Sequence, residues 1–158
     1  MGLIGFYAGS FDPFTNGHLE IVRKASKCFE KVIIGIGSSS DKSVRIERTQ
    51  MKIAIEKTLE IENLNNVSVI IYNNLTADKA NELGAGILIR GLRNGTDYQY
   101  EENIAEMNDV ISNIDTCYFR AGKLGYLSSS LVMELHLFNQ DISKYVPDPV
   151  NKLLKSLK

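Results

Sequence analysis

The sequence predicts an α/β fold, a doubly wound five-stranded parallel sheet with helices on both faces. Two observations predict it. Near-continuous apolar runs of strand length alternate along the chain with longer segments whose apolar residues recur at helical spacing. The strand-length runs stay apolar at successive positions, where a strand with one wet face would alternate, so both faces of the sheet are expected to be covered. Right-handed crossovers then put ligands beyond the carboxyl ends of the strands.

Taken in order, residues 2–6 (GLIGF) read as a buried strand and residues 7–18 (YAGSFDPFTNGH) as a loop punctuated by Gly and Pro. An amphipathic helix follows over 19–29, with His18 at its start. Residues 31–37 (KVIIGIG) form the second strand, and 48–61 a helix carrying Met51, Ile55 and Leu59. Residues 67–72 (VSVIIY) are strand-like, 77–83 helical up to Gly84, and 86–90 (GILIR) a short strand running into Gly91. Residues 97–111 place Tyr100, Ile104, Met107 and Ile111 on one helical face. Residues 116–120 (TCYFR) give the fifth strand, 130–138 a helix and 149–157 a last short helix. No repeat or linker divides the chain, so 1–158 is read as one domain.

Composition narrows the function. With 18 basic and 19 acidic residues the net charge is −1, which gives no global attraction to nucleic acid or to an anionic membrane. Lysines near the carboxyl end, diluted by Asp141 and Asp148, read as a solvated face. Cys28 and Cys117 lack CxxC spacing and are expected as reduced core residues. Two histidines and two cysteines make no zinc site, and His136 reads as structural. No apolar run reaches the ~20 residues that span a bilayer and no signal peptide is visible, so a cytoplasmic location is expected.

The polar and Gly-rich clusters all follow strands: 9–18, 38–42, Leu75-Thr76, 91–93 and 124–130. They should therefore share one edge of the sheet. A helix start with exposed N–H groups and the positive end of the helix dipole favours an anion there, and a histidine can donate to a phosphate oxygen and take up charge near neutral pH. Arg90 and Arg93 around Gly91-Leu92 suit bidentate phosphate contacts. Ser128, Ser129 and Ser130 offer more than the one hydroxyl a helix cap needs. The bland alternatives are ordinary turn pairs at Asp12-Pro13 and Asn16-Gly17, a helix cap in the serines, and solvated Lys42 and Glu101. There is no GxxxxGK[ST], and Gly35-Ile36-Gly37 lacks the third glycine of a dinucleotide fingerprint.

GSFDPFTNGH (9–18), Lys42, IRGLRNGTDYQYE (89–101) and YLSSSLVMEL (126–135) together resemble bacterial phosphopantetheine adenylyltransferases, of the nucleotidyltransferase superfamily marked by a (T/H)xGH loop. The resemblance implies a Rossmann-like fold and the transfer of an adenylyl group from ATP, with Mg²⁺, to 4′-phosphopantetheine. The products are dephospho-coenzyme A and pyrophosphate, in the penultimate step of coenzyme A synthesis. It implies His18 as the catalytic residue and Ser10, Lys42, Thr76 and Arg90 as substrate-binding residues. For ATP it implies Ser10, Phe11, His18, Gly91, Leu92, Arg93 and Glu101, with the run Leu124, Gly125, Tyr126, Leu127, Ser128, Ser129 and Ser130. A homohexamer inhibited by coenzyme A is implied as well. Ser10 stands where the family has Thr, Thr76 where an apolar residue is usual, and the segment 41–48 is short.

The residue types themselves suit a direct displacement. The loops carry no activated Cys, no Ser–His–Asp set and no paired carboxylates, but they do carry hydroxyls, N–H groups, cations and one His. Positioning and charge stabilisation suffice for such chemistry. The expected reaction is in-line attack of the pantetheine phosphate on the α-phosphorus, with His18 donating to an α-phosphate oxygen and Lys42 orienting the nucleophile. Arg93 and the serine turn would grip the β- and γ-phosphates. No protein ligand for the metal stands out. The rival readings are an adenylyltransferase for nicotinamide mononucleotide, a non-catalytic adenine-nucleotide sensor and a generic α/β interaction module.

Overall fold

The five apolar runs do pair as one all-parallel sheet. The computed structural model describes residues 2–38 and 43–157. Its elements are β1 (Ile4–Gly9), α1 (Asn16–Cys28), β2 (Lys31–Gly37), α2 (Arg48–Ile61), β3 (Val67–Tyr72), α3 (Thr76–Glu82), β4 (Ile87–Leu92), α4 (Gly95–Ser112), β5 (Asp115–Arg120), α5 (Ser129–Leu137) and α6 (Asp148–Ser156). The strand order is β3-β2-β1-β4-β5. β1 and β4 are neighbours in space but not in sequence, so the direction of winding reverses between them. A crevice opens at that switch point, beyond the carboxyl ends of both strands.

Two apolar layers hold the sheet. Val22, Ile34, Ile55, Val132 and Leu154 pack on the face covered by α1, α2, α5 and α6. Phe6, Ile33, Leu88 and Ala80 pack on the face covered by α3. The strands are longer than their apolar runs. β1 continues through Tyr7, Ala8 and Gly9, which pair with Ile34, Gly35 and Ile36, and β4 continues through Gly91 and Leu92 opposite Phe119 and Arg120. Ladder hydrogen bonds thus reach further than hydrophobicity does, and they carry rigid backbone to the rim of the crevice.

Two expectations need correction, and one apolar helix face is left open. α1 begins at Asn16, so His18 is its third residue and not its first. Cys28 is exposed and Cys117 only half-buried, because Ala25 and Phe29 take the core-facing positions at the end of α1. Tyr100, Met107 and Ile111 are exposed, and the one buried residue of α4 is Glu101. Periodicity shows that a helix carries an apolar stripe; it does not show that the same chain covers it.

Candidate active site

The sharpest geometry lies where β1 turns into α1. Thr15 caps the helix, its Oγ1 accepting the His18 N–H at 3.3 Å, while the Thr15 N–H donates to His18 Nδ1 at 3.0 Å. Histidine takes the part that Glu or Gln plays in an ordinary capping box. Because Nδ1 accepts from a backbone N–H, the ring proton of the neutral imidazole sits on Nε2. The rings of Phe11, Phe14 and Tyr7 enclose the imidazole, with centroids at 5.1, 5.6 and 6.5 Å. Burial first, then the charges of Arg93 and Arg90, push the His18 pKa down to about 4. The expected uptake of charge near neutral pH is therefore corrected: His18 is a neutral Nε2–H donor. Phe11 helps to build this cage from a left-handed backbone, φ 45°, which costs on the order of 1–3 kcal/mol for a non-glycine residue.

The β4–α4 connection is built from charge. Arg90 Nη2 donates to Glu101 Oε1 at 2.8 Å, its Nε to Oε2, and its Nη1 to the Ala8 carbonyl at 2.8 Å. The Glu101 side chain is 8% exposed and that of Arg90 27%, so this is a bidentate pair largely shut away from water. Burial works against charge on Arg90, but its bonds to Glu101 and the charge there outweigh it and raise its pKa. Arg93 donates from its backbone N–H to Asp97 at 3.0 Å and from Nη2 at 3.1 Å, and Asp97 in turn donates its N–H to Asn94. At Gly91 a Cβ would sit 3.3 Å from Ile21 Cγ1, so the bare backbone lets this strand end approach α1 closely.

These two connections border a cavity of about 710 Å³, within the range of small-molecule sites. Ser10, Phe11, His18, Arg90, Gly91, Leu92, Arg93 and Glu101 line it, as do Leu124, Leu127, Ser128, Ser129 and Ser130. Ser128 caps α5 by accepting the Leu131 N–H at 3.1 Å, and Ser129 donates to the Pro13 carbonyl at 2.7 Å, tying the serine turn to the first loop. Gly125 and Tyr126 are not part of the lining, and Tyr126 is exposed. Thr76 lines a second cavity of about 180 Å³ with Leu75, Leu88, Ile104 and Met107. Its hydroxyl bonds to Tyr72 at 2.9 Å. Arg90 and Ala8 line both cavities. Lys42 lies outside the described residues.

The sequence reading passed over Arg45 and Arg48, which also line the larger cavity. Asp12 receives the backbone N–H groups of Arg45 at 2.9 Å and Ile46 at 3.0 Å, which fixes the approach to α2 against the first loop. The signal was a cluster of cations shortly after a strand end. Among the described residues no three His, Cys, Asp or Glu converge on a metal position. Each cavity carboxylate, Asp12, Asp97 or Glu101, is already engaged by an arginine.

Residues 6–142 match the family model described as cytidylyltransferase-like. The phosphopantetheine adenylyltransferase of Leuconostoc mesenteroides is 41% identical over 154 residues, covering 96% of this chain and 94% of the relative. That of Cytophaga hutchinsonii is 40% identical over 149 residues, covering 93% and 98%. The chain belongs to the cytidylyltransferase-like family, among the phosphopantetheine adenylyltransferases. A crystal structure of a putative nicotinate-nucleotide adenylyltransferase from Vibrio parahaemolyticus superposes with a TM-score of 0.74 over 99% of this chain and 93% of that one. At 17% identity that likeness concerns the nucleotidyltransferase fold alone. The family's α/β architecture is thus common to both comparisons, while the identity at the level of sequence is with the pantetheine branch.

Proposed function

We propose that the protein is an adenylyltransferase that joins the adenylyl group of ATP to 4′-phosphopantetheine, releasing pyrophosphate and giving dephospho-coenzyme A, the penultimate step of coenzyme A synthesis. Near full-length identity to phosphopantetheine adenylyltransferases supports the reaction. The geometric observation that carries it is the position of Arg90, shared by a polar cavity and an apolar one. A phosphate at the end of a long amide and hydrocarbon arm needs that juxtaposition: a cation for the phosphate and a less polar recess for the arm.

In this reading a phosphate oxygen of phosphopantetheine attacks the α-phosphorus of ATP in line, and the bond to the β-phosphate oxygen breaks. The nucleophile is already anionic, so no general base is required, consistent with carboxylates that are all engaged. His18 Nε2–H donates to an α-phosphate oxygen as charge builds up there; a fixed neutral donor needs no reorganisation at that moment. Thr15, Gly17 and His18, at the start of α1, line the same cavity. Arg90 and Lys42 receive the acceptor phosphate, with Ser10 and Thr76 along its path. Arg93 and the turn Ser128–Ser130 hold the β- and γ-phosphates, and Glu101 keeps Arg90 oriented. Magnesium enters with ATP as part of the substrate, held by phosphate oxygens and water, as its reluctance to dehydrate favours.

The same reading takes 1–158 as one catalytic domain acting in the cytoplasm; no helix among the described residues is long and apolar enough to cross a membrane. It takes the assembly as a homohexamer, for which the exposed stripe of Met107, Val110 and Ile111 on α4 offers a surface to bury. Coenzyme A, carrying both an adenosine diphosphate and a pantetheine arm, has the parts to fill both cavities and act as an inhibitor.

The test is pyrophosphate release with ATP and Mg²⁺, comparing 4′-phosphopantetheine, unphosphorylated pantetheine and nicotinamide mononucleotide. Release with phosphopantetheine alone is expected. Release with the mononucleotide alone overturns the substrate, and nucleotide binding without any release overturns the enzyme.

A further inference from the structure

Neither of the chain's two cysteines lines either cavity, and they lie on two elements that pack against each other, α1 and β5. The strands are parallel and α1 links two of them, so α1 runs antiparallel to β5 on the face they share. Two contacts set the register between them. Lys24 Nζ donates to the carbonyl of Arg120, the last residue of β5, and the rings of Phe29 and Phe119 meet at 6.4 Å. Cys28 is one helical turn beyond Lys24, on the same side of α1, and adjoins Phe29. Cys117 is two residues before Phe119 on β5, so it shares that strand face, and both pack against the core beneath α1. A rise of about 6 Å along the helix matches about two residues along the strand, so the step from Lys24 to Cys28 leads from Arg120 toward Cys117.

The two thiols differ in access. Cys28 is exposed and Cys117 half-buried. Burial first, and the neighbouring Cys28 second, push the Cys117 thiol up, so the two groups sense each other through space. Neither takes part in the adenylyl transfer.

We propose that Cys28 and Cys117 close a reversible disulfide between the end of α1 and β5 when the protein meets a low-molecular-weight disulfide. The Cys28 thiolate attacks one sulfur of that reagent, and the reagent's S–S bond breaks to release one thiol. The Cys117 thiolate then attacks Sγ of Cys28 in the mixed disulfide and expels the second thiol. Two protein thiols are oxidised while one small disulfide is reduced to two thiols. The bridge would join the end of α1 to the middle of β5, and neither cysteine lines a cavity. It therefore leaves the site open while tying the helix that carries His18 to the strand that feeds the serine turn.

The experiment treats the whole chain with oxidised glutathione, blocks residual thiols with an alkylating agent and reads intact mass and non-reduced peptides. Wild type is expected to lose the mass of two hydrogens and to yield one linked peptide pair containing Cys28 and Cys117. Cys117→Ser is expected to stop with one glutathione on Cys28, and Cys28→Ser to stay largely unmodified. The bridged form should unfold at a higher denaturant midpoint, by the loop constraint on the unfolded chain, and return to the reduced midpoint with dithiothreitol. A stable mixed disulfide on Cys28 with Cys117 still open to alkylation overturns the proposal, as does a dimer linked through Cys28 or no reaction at either thiol.

Discussion

The turn from β1 into α1 and the turn from β4 into α4 face the same cavity, but they prepare a donor in opposite ways. At the first, an apolar cage of Phe11, Phe14 and Tyr7 keeps His18 neutral, and the backbone of Thr15 fixes its tautomer. At the second, Glu101 and Asp97 pair with Arg90 and Arg93 from within the same segment. A neutral donor enclosed by carbon has no internal anion competing for it. A cation paired to a carboxylate has one, so an incoming phosphate must share or displace it. In the proposed reaction, turnover rests chiefly on the first turn, and affinity together with local stability on the second.

The largest effect expected is His18→Ala, with kcat falling by about 10²–10³ while the fold is retained, since removal of one donor aimed at developing charge has that consequence. Turnover near that of wild type in single-turnover assays would break the division between the two turns. Next is Arg90→Ala, which leaves Glu101 buried beside no cation. Unfolding in urea should then show a loss of about 3 kcal/mol, accompanied by a raised KM for phosphopantetheine. Arg90→Ala combined with Glu101→Gln should recover part of the stability but none of the affinity, which separates the two jobs of the pair. Thr15→Ala removes the hydroxyl that caps α1 and keeps the backbone bond to Nδ1. It should cost about 1 kcal/mol of stability and move kcat far less than His18→Ala does.

The smallest effect concerns pH. Burial, then the charges of Arg93 and Arg90, push the His18 pKa down from its ordinary 6.5 to about 4 in the folded protein. The unfolded chain therefore binds the proton more readily across that interval. Its contribution to stability is present above pH 6.5 and is lost as pH falls toward 4. The kcat profile should show no step at 6.5 from this residue, and NMR titration of the imidazole should place its midpoint well below that value. A midpoint near 6.5 would mean that the cage does not exclude water and that His18 acts as a cation.

How far the sequence reaches can be read from particular residues. The alternating periods located the five strands and six α-helices named above to within a few residues, and the GSFDPFTNGH, RGLR and SSS segments were placed on one edge because each follows a strand. Most of the residues singled out there do gather around one cavity. Arg45 and Arg48 were passed over because a cation in a loop looks the same whether it faces solvent or a pocket. Glu101 read equally well as a solvated residue until Arg90 was seen beside it.

By itself the sequence determined the fold class, the side of the sheet that bears the candidate site and the family, because all three rest on local spacing and on motifs that are contiguous in the chain. Tertiary structure alone decided that His18 is held as a neutral donor, that Arg90 pairs with Glu101 and that the apolar stripe of α4 faces outward. Each of these depends on desolvation or on charge between groups far apart in the chain, and spacing along a sequence carries no measure of distance through space.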